Sequence, residues 1–213
     1  MVSLGFKKLN SILCLGAHAD DIEIGCGGTI LKLIQEQPGL KVWWVVFSAR
    51  AARRREARAS ARAILSGARQ QRVIVKAFRD SFFPAQGEAI KHCFEALKSQ
   101  IQPDLVFTHF LADRHQDHRL LSELTWNTFR NHLVLEYEIP KYEGDLQQPN
   151  LFVPLDRAVC QDKVSRICQF FQTQSNKHWF SEDLFYGLMR IRGIECASPT
   201  KYAEAFHARK LVW

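Results

Sequence analysis

Four runs of continuously apolar residues, each followed by a segment with helical periodicity, constrain this chain more than any other feature of its sequence. The runs are "ILCL" (12–15), "KVWWVVFS" (41–48), "RVIVKAF" (72–78) and "PDLVFTHF" (103–110). Strands that read as unbroken apolar runs are covered on both faces, as in a parallel sheet. Between them, "GCGGTILKLIQEQPG" places Ile30, Leu33 and Ile34 on one helical face and stops at Pro38-Gly39. An arginine-rich helix follows the second run, and Ile90, Phe94, Leu97 and Ile101 mark a third helix. This β-α-β-α-β-α-β order predicts an α/β fold: a doubly wound, mostly parallel Rossmann-like sheet of order 3-2-1-4-5 with helices on both faces. A fourth helix is expected over "RHQDHRLLSELTWNTFRN", a strand over "LVLEYEI" and a short strand over "NLFVPL". Two helices, at about 156–174 and 181–195, are expected to complete the chain.

At 213 residues the chain is expected to form one domain, 1–213, with a core large enough to need no disulfide or metal staple. Its six cysteines are scattered without a Cys-x-x-Cys pair, which predicts reduced, mostly buried thiols and a cytoplasmic address. No stretch approaches the ~18 apolar residues of a membrane span. The net charge is +7, and eight arginines fall between Arg50 and Arg72. Within that segment Ala57, Ala61, Ile64 and Ala68 recur at helical spacing, while Arg54, Arg58 and Arg62 form a row on another face. A solvated basic face accounts for the pattern without nucleic acid, and attraction of an anionic substrate is the main functional variant.

Two polar clusters follow the first and fourth strands. "GAHADDIEIGCGG" brings His18, Asp20 and Asp21, and "HFLADRHQDHR" brings His109, Asp113, His115, Asp117 and His118. In a sheet of order 3-2-1-4-5 these strand ends are neighbours, and the ligand crevice opens there. A catalytic zinc takes three protein ligands and leaves one position open; His18, Asp21 and His118 can supply that set. Asp20 is then turned toward the open position, where a carboxylate can take a proton from water. Either aspartate alone can be read as a helix cap, and Cys26 as a thiolate ligand lacking a second cysteine nearby. The cluster does not match G-x-G-x-x-G, and paired carboxylates repel a pyrophosphate, so a dinucleotide site is disfavoured.

Together, "HADDIEIGCGG" and "HQDH" resemble the motifs of the LmbE-like or PIG-L-like metal-dependent N-deacetylases. The resemblance extends through "PDLVFTHF", the pair Arg53 and Glu56, and the tail "KYAEAF". It implies hydrolysis of an N-acyl group, usually acetyl on an amino sugar, with one zinc ion or, on the same donors, Fe2+. It makes His18, Asp21 and His118 the metal ligands and Asp20 the general base. It makes His115 the oxyanion donor, oriented and kept as imidazolium by Asp117. Arg53, by the same resemblance, and Asp80, from its place after the third strand, are candidate substrate contacts. Ala19 stands where the family usually has proline, removing a φ restraint beside a ligand. A small acetylated sugar is the expected partner, with no membrane and no nucleic acid. A metal-dependent phosphoesterase is the nearest alternative, and two-metal phosphate sites need more ligands than these loops carry. A nucleic-acid binder acting through the arginine helix is the other, and that helix lacks interleaved aromatics.

Overall fold

The computed structural model describes residue 5 and residues 8–212. Strands β1 (Ser11–Gly16), β2 (Lys41–Val46), β3 (Gln70–Val75), β4 (Leu105–His109) and β5 (Leu133–Tyr137) pair in parallel in the expected order 3-2-1-4-5. The sheet continues beyond β5, and here expectation and structure part. The short strand β6 (Leu151–Pro154) is present, but it does not pair with β5. Strand β7 (Ala203–Ala208) lies between them, antiparallel to both, giving the order β3-β2-β1-β4-β5-β7-β6. The chain therefore does not end on helices.

Alternation along β1 divides the core. Ile12 and Cys14 face a cluster with α1 (Asp21–Glu36), α2 (Ala51–Ile64), α5 (Arg157–Phe170) and α6 (Glu182–Glu195). Leu13 and Leu15 face a second cluster with α3 (Gly87–Gln100) and α4 (Gln116–Thr128). Trp44 on the first side and Phe47 and Phe94 on the second are fully buried. Burial of such a side chain stabilises the fold by about 2 kcal/mol. Helix α2 buries Ala57, Ala61 and Ile64 and leaves Arg54 and Arg62 exposed, with Arg58 half-buried. Ala68 lies beyond its end. All six cysteines are free thiols, and Cys14, Cys26 and Cys160 are buried. No helix among the described residues is long and apolar enough to cross a membrane.

Helix α1 carries the first polar cluster and is broken once, at Cys26 (φ −145°, ψ 15°). The break leaves the next backbone N–H groups without intrahelical partners. Glu204 of β7 supplies them: its carboxylate accepts from Gly28 N at 2.9 Å and from Thr29 N at 2.6 Å. Lys163 of α5 balances that buried charge, with Nζ 2.6 Å from Glu204 and 2.6 Å from the Ile24 carbonyl. Gly25, just before the break, lies flat against the Tyr137 ring, where a Cβ would overlap it.

Candidate metal centre

The loop after β1 and the start of α4, reached from the end of β4, meet at the C-terminal edge of the sheet. Asp20 and Asp21 stand at the start of α1, yet the Asp20 side chain makes no capping hydrogen bond. Asp21 Oδ2 instead accepts from the His18 backbone N–H at 2.6 Å, closing the turn between two proposed ligands. That bond restrains the segment where Ala19, itself buried, replaces proline.

Three atoms converge at the centre of the site. His18 Nδ1 lies 3.1 Å from His118 Nε2 and 3.4 Å from Asp21 Oδ2, and His118 Nε2 lies 3.6 Å from the same oxygen. The far nitrogens of both rings face carboxylates. His118 Nδ1 is 2.9 Å from Asp113 Oδ2, and His18 Nε2 is 3.1 Å from Asp80 Oδ1 and 3.3 Å from Asp117 Oδ2. A carboxylate only accepts, so the His118 ring carries its proton on Nδ1 and turns a bare Nε2 lone pair inward, while His18 meets carboxylates at both of its nitrogens. With His18 protonated only on its outer nitrogen, two lone pairs and a carboxylate oxygen would face one another, an arrangement suited to a cation between them. Their separations match the ~3.3 Å between ligands around a tetrahedral zinc with bonds near 2.0 Å. The donor set therefore fits the metal, and imidazole held by an outer carboxylate is the usual way such ligands are oriented.

Burial lowers His18, but the charge of Asp21 and hydrogen bonds with Asp117, Asp21 and Asp80 raise it well above the usual imidazole range, so its ring holds a proton that a bound cation would displace. Burial pushes Asp21 up, but the neighbouring His118, His18 and His109 rings overcome it and hold the carboxyl well below its usual range. Burial, with His109 nearby, lowers His118 to about 3, keeping it in the neutral form that a metal ligand requires. Asp20 is raised by burial, offset in part by Arg53 and reinforced by Asp21.

The other expected residues are placed as follows. Asp20 Oδ1 takes a 2.7 Å hydrogen bond from Arg53 Nη2, while its buried Oδ2 has no partner among the described residues. Arg53 also reaches Glu56 at 3.3 Å, so its charge is engaged by two acids. Asp80 borders the cleft, with its carboxylate turned to His18, whose hydrogen bond is the main reason it falls to about 2. His115 and Asp117 interact differently from expectation. The Asp117 carboxylate accepts from Ser81 N at 2.7 Å and Phe83 N at 3.0 Å. Its backbone N–H, not its carboxylate, meets His115, donating to Nδ1 at 3.2 Å. Because His115 is the N-cap of α4, its Nδ1 must accept, which fixes the neutral form protonated at Nε2. Burial and the charge of His18 lower its pKa further. The expected imidazolium is thus replaced by a neutral N–H donor.

Two residues of the second cluster received no role from sequence. Asp113 holds His118, accepts from the His115 backbone N–H at 2.8 Å and meets Lys141 at 2.9 Å. His109, fully buried, stacks on His118 at 3.9 Å with Nε2 3.2 Å from Asp21 Oδ2. A histidine closing an otherwise apolar strand was the available signal for His109. For Asp113, an acid just ahead of a helix whose third residue is a histidine was the signal.

The site opens into a cleft of about 890 Å3 bordered by His18, Asp20, His115, His118, Tyr142 and Trp179. That volume falls in the range of small-molecule sites.

Comparison with known proteins agrees with the motifs. The chain is 33% identical over 146 residues to the uncharacterized deacetylase YaiS of Escherichia coli K12, spanning 63% of this chain and 76% of that protein. Its fold matches the N,N'-diacetylchitobiose deacetylase of Pyrococcus horikoshii with a TM-score of 0.72 at 22% identity, over 94% of this chain and 84% of the other. It also matches GalB of Pseudomonas putida, a 4-carboxy-2-hydroxymuconate hydratase, with a TM-score of 0.75 at 19% identity, over 96% and 98% of the two chains. Likeness of fold alone thus spans two chemistries. In sequence, residues 13–129 match the model described as PIG-L: GlcNAc-PI de-N-acetylase, and the chain belongs to that deacetylase family.

Proposed function

We propose that this protein removes the N-acetyl group from a small amino sugar or related glycoside, using one divalent metal, zinc or in its place Fe2+, held by His18, Asp21 and His118. The observation that carries the proposal is the inward convergence of His18 Nδ1, His118 Nε2 and Asp21 Oδ2 at 3.1–3.6 Å, with both outer nitrogens on carboxylates. When bound, the metal supplies Lewis-acid polarisation of the amide carbonyl and acidifies water.

Asp20 acts as general base through Oδ2, the oxygen that no donor occupies among the described residues. Arg53 holds Oδ1 and so orients the carboxylate while leaving the reacting oxygen free. The water that adds to the acetyl carbonyl loses a proton to Asp20, and the same carboxyl can return it to the departing nitrogen. Cleavage of the C–N bond then yields acetate and a free amine. His115 Nε2–H donates to the oxygen that becomes negative as the carbonyl carbon turns tetrahedral, and Nδ1 is pinned by the α4 backbone for that purpose. Asp117 supports this indirectly, by tying the 81–83 loop to α4 and facing His18. Asp80 orients His18 from the cleft rim.

The test is a screen of N-acetylated sugars for amine release, with and without added zinc, on wild type and Asp20→Asn. Amine release that needs metal and falls ~10²-fold or more in Asp20→Asn, with zinc content kept, is expected. Metal-independent release, or loss of zinc in Asp20→Asn, refutes the assignment.

A further inference from the structure

The cations bordering the cleft fall into two groups. Arg53 is engaged by Asp20 and Glu56, and Lys141 by Asp113 and Asp145 at 2.9 and 2.6 Å. Arg50, Arg79 and Lys177 border the same cleft, and no acid lies within salt-bridge distance of any of them among the described residues.

Two of these three are held in place. Arg50, at the N-terminus of α2, donates from Nε and Nη2 to the Ala77 carbonyl at 3.1 and 2.9 Å, which leaves Nη1 uncommitted. Arg79, two residues beyond Ala77, lays its guanidinium over the Phe82 ring at 3.6 Å. The Arg79 backbone is clamped on both sides by Gln86, whose Oε1 accepts from its N–H at 3.0 Å while Nε2 donates to its carbonyl at 2.9 Å. A free surface arginine loses much rotamer entropy on meeting a ligand. These two have already lost part of it, on a carbonyl and a ring that leave the charge unneutralised. Asp80 is adjacent in sequence, but its carboxylate is committed to His18 and Ser81. Glu143 borders the cleft from the loop between β5 and β6.

We infer that the substrate carries an anionic group, a phosphate or a carboxylate, which the Arg50 and Arg79 guanidiniums bind on the cleft wall formed by the loops after β2 and β3. Lys177, from the segment after α5, adds to the same field. The inference rests on the deacetylase reading for the position of the acetyl group, and it narrows the substrate from any small acetylated sugar to an acidic one. Guanidinium forks suit both oxyanions, and charge-assisted contacts are about twice as strong as neutral ones.

Binding is measured by calorimetry with three probes that carry no amide: glucose 1-phosphate, methyl glucuronide and glucose. Each is titrated into zinc-loaded wild type, metal-free wild type and the Arg50→Gln/Arg79→Gln double variant. At least one anion is expected to bind about tenfold or more tighter than glucose, with or without zinc. The advantage is expected to shrink in the double variant and as salt is raised. Preference for glucose 1-phosphate alone identifies a phosphate, and preference for methyl glucuronide alone a carboxylate. Equal binding of all three, a preference that survives in the double variant, or one that needs zinc overturns the inference. In turnover, the kcat/KM ratio of N-acetylglucosamine 1-phosphate to N-acetylglucosamine is expected near ten or above in wild type and near one in the double variant. Amine release at a ratio of one in wild type refutes the anion site and leaves the deacetylase standing. An anion preference in binding without amine release from either sugar refutes the deacetylase and supports the anion site.

Discussion

Replacing Asp113 tests whether the metal centre depends on a residue that touches no metal. Its carboxylate takes three hydrogen bonds at once, from His118 Nδ1 at 2.9 Å, the His115 backbone N–H at 2.8 Å and Lys141 Nζ at 2.9 Å. Burial alone raises the Asp113 carboxyl, but the hydrogen bond from the His118 ring, with His109 and Lys141 nearby, holds it well below the usual carboxylate range. In Asp113→Asn one oxygen remains, and the amide nitrogen must face a donor wherever it is turned. If the oxygen stays on His118, a neutral bond replaces a charge-assisted one and the ring becomes a weaker ligand. Zinc affinity is then expected to fall about tenfold, or ~1.4 kcal/mol. Asp113→Ala frees the ring altogether and leaves three donors unmatched, so a loss near 100-fold is expected, ~2.7 kcal/mol. The metal-free Asn variant is also expected to lose about 1–3 kcal/mol of stability from its mismatched donor. Competition against a chromophoric chelator reads the first quantity and urea unfolding of metal-free protein the second. Zinc affinity within about threefold of wild type in folded Asp113→Ala refutes the role.

Further expectations follow from other parts of the fold. Replacing Arg54, Arg58 and Arg62 together by Gln is expected to leave Tm within a few degrees and turnover of a neutral acetylated sugar within about twofold, since the row is exposed or half-buried and the charge acts only at long range; a large loss of turnover shows that these side chains reach the cleft. Gly25→Ala is expected to lower stability by about 1–3 kcal/mol in chemical unfolding and to weaken zinc binding, because the new methyl must displace Tyr137 or α1; wild-type stability refutes the close approach. His207 is lowered to about 4 by burial, then by Arg209 and Arg192. Its neutral form is favoured in the fold, so the stability it contributes is present above about pH 6.5 and is lost as pH falls through about 4. His207→Phe, which keeps an aromatic ring against Phe110, is expected to lose less Tm than wild type between pH 7 and 4; parallel Tm curves refute that assignment.

The parallel half of the sheet was legible because its central strands are covered on both faces, which forces runs such as Ile12–Leu15 and Val42–Val46 to be apolar throughout. The convergence of His18, Asp21 and His118 was legible for a related reason: the sheet order places the ends of β1 and β4 side by side, and only a few polar residues follow each. Contacts made within the second cluster were harder to read. The family resemblance, with Asp117 two residues after His115, implied a carboxylate on a ring. The helix start decided otherwise, because the first backbone N–H groups of α4 need acceptors and the His115 ring is the one in place. Asp113 lies five residues before His118, a separation that means nothing until the loop curls back over the helix N-terminus.

Strand β7 was illegible for a different reason, and the reason bears on the site. "AEAFHA" has Phe206 as its only large apolar side chain, and its pairing with β5 joins segments about seventy residues apart, so no local pattern marks it. Glu204 explains why so weakly apolar a strand belongs in the sheet interior. A carboxylate there would be costly if unpaired. It is instead matched by Lys163 at 2.6 Å and by two N–H groups exposed where α1 breaks at Cys26. The break lets Gly25 approach Tyr137, and the Tyr137 hydroxyl in turn donates to the Leu15 carbonyl at 2.6 Å, one residue before the loop that carries His18. Asp21 stands on the half of α1 before the break, and Glu204 anchors the half after it. Strand β7 therefore fixes the helix that starts with Asp20 and Asp21, which is why a segment remote in sequence that adds no residue to the proposed ligand set is part of how the centre is built.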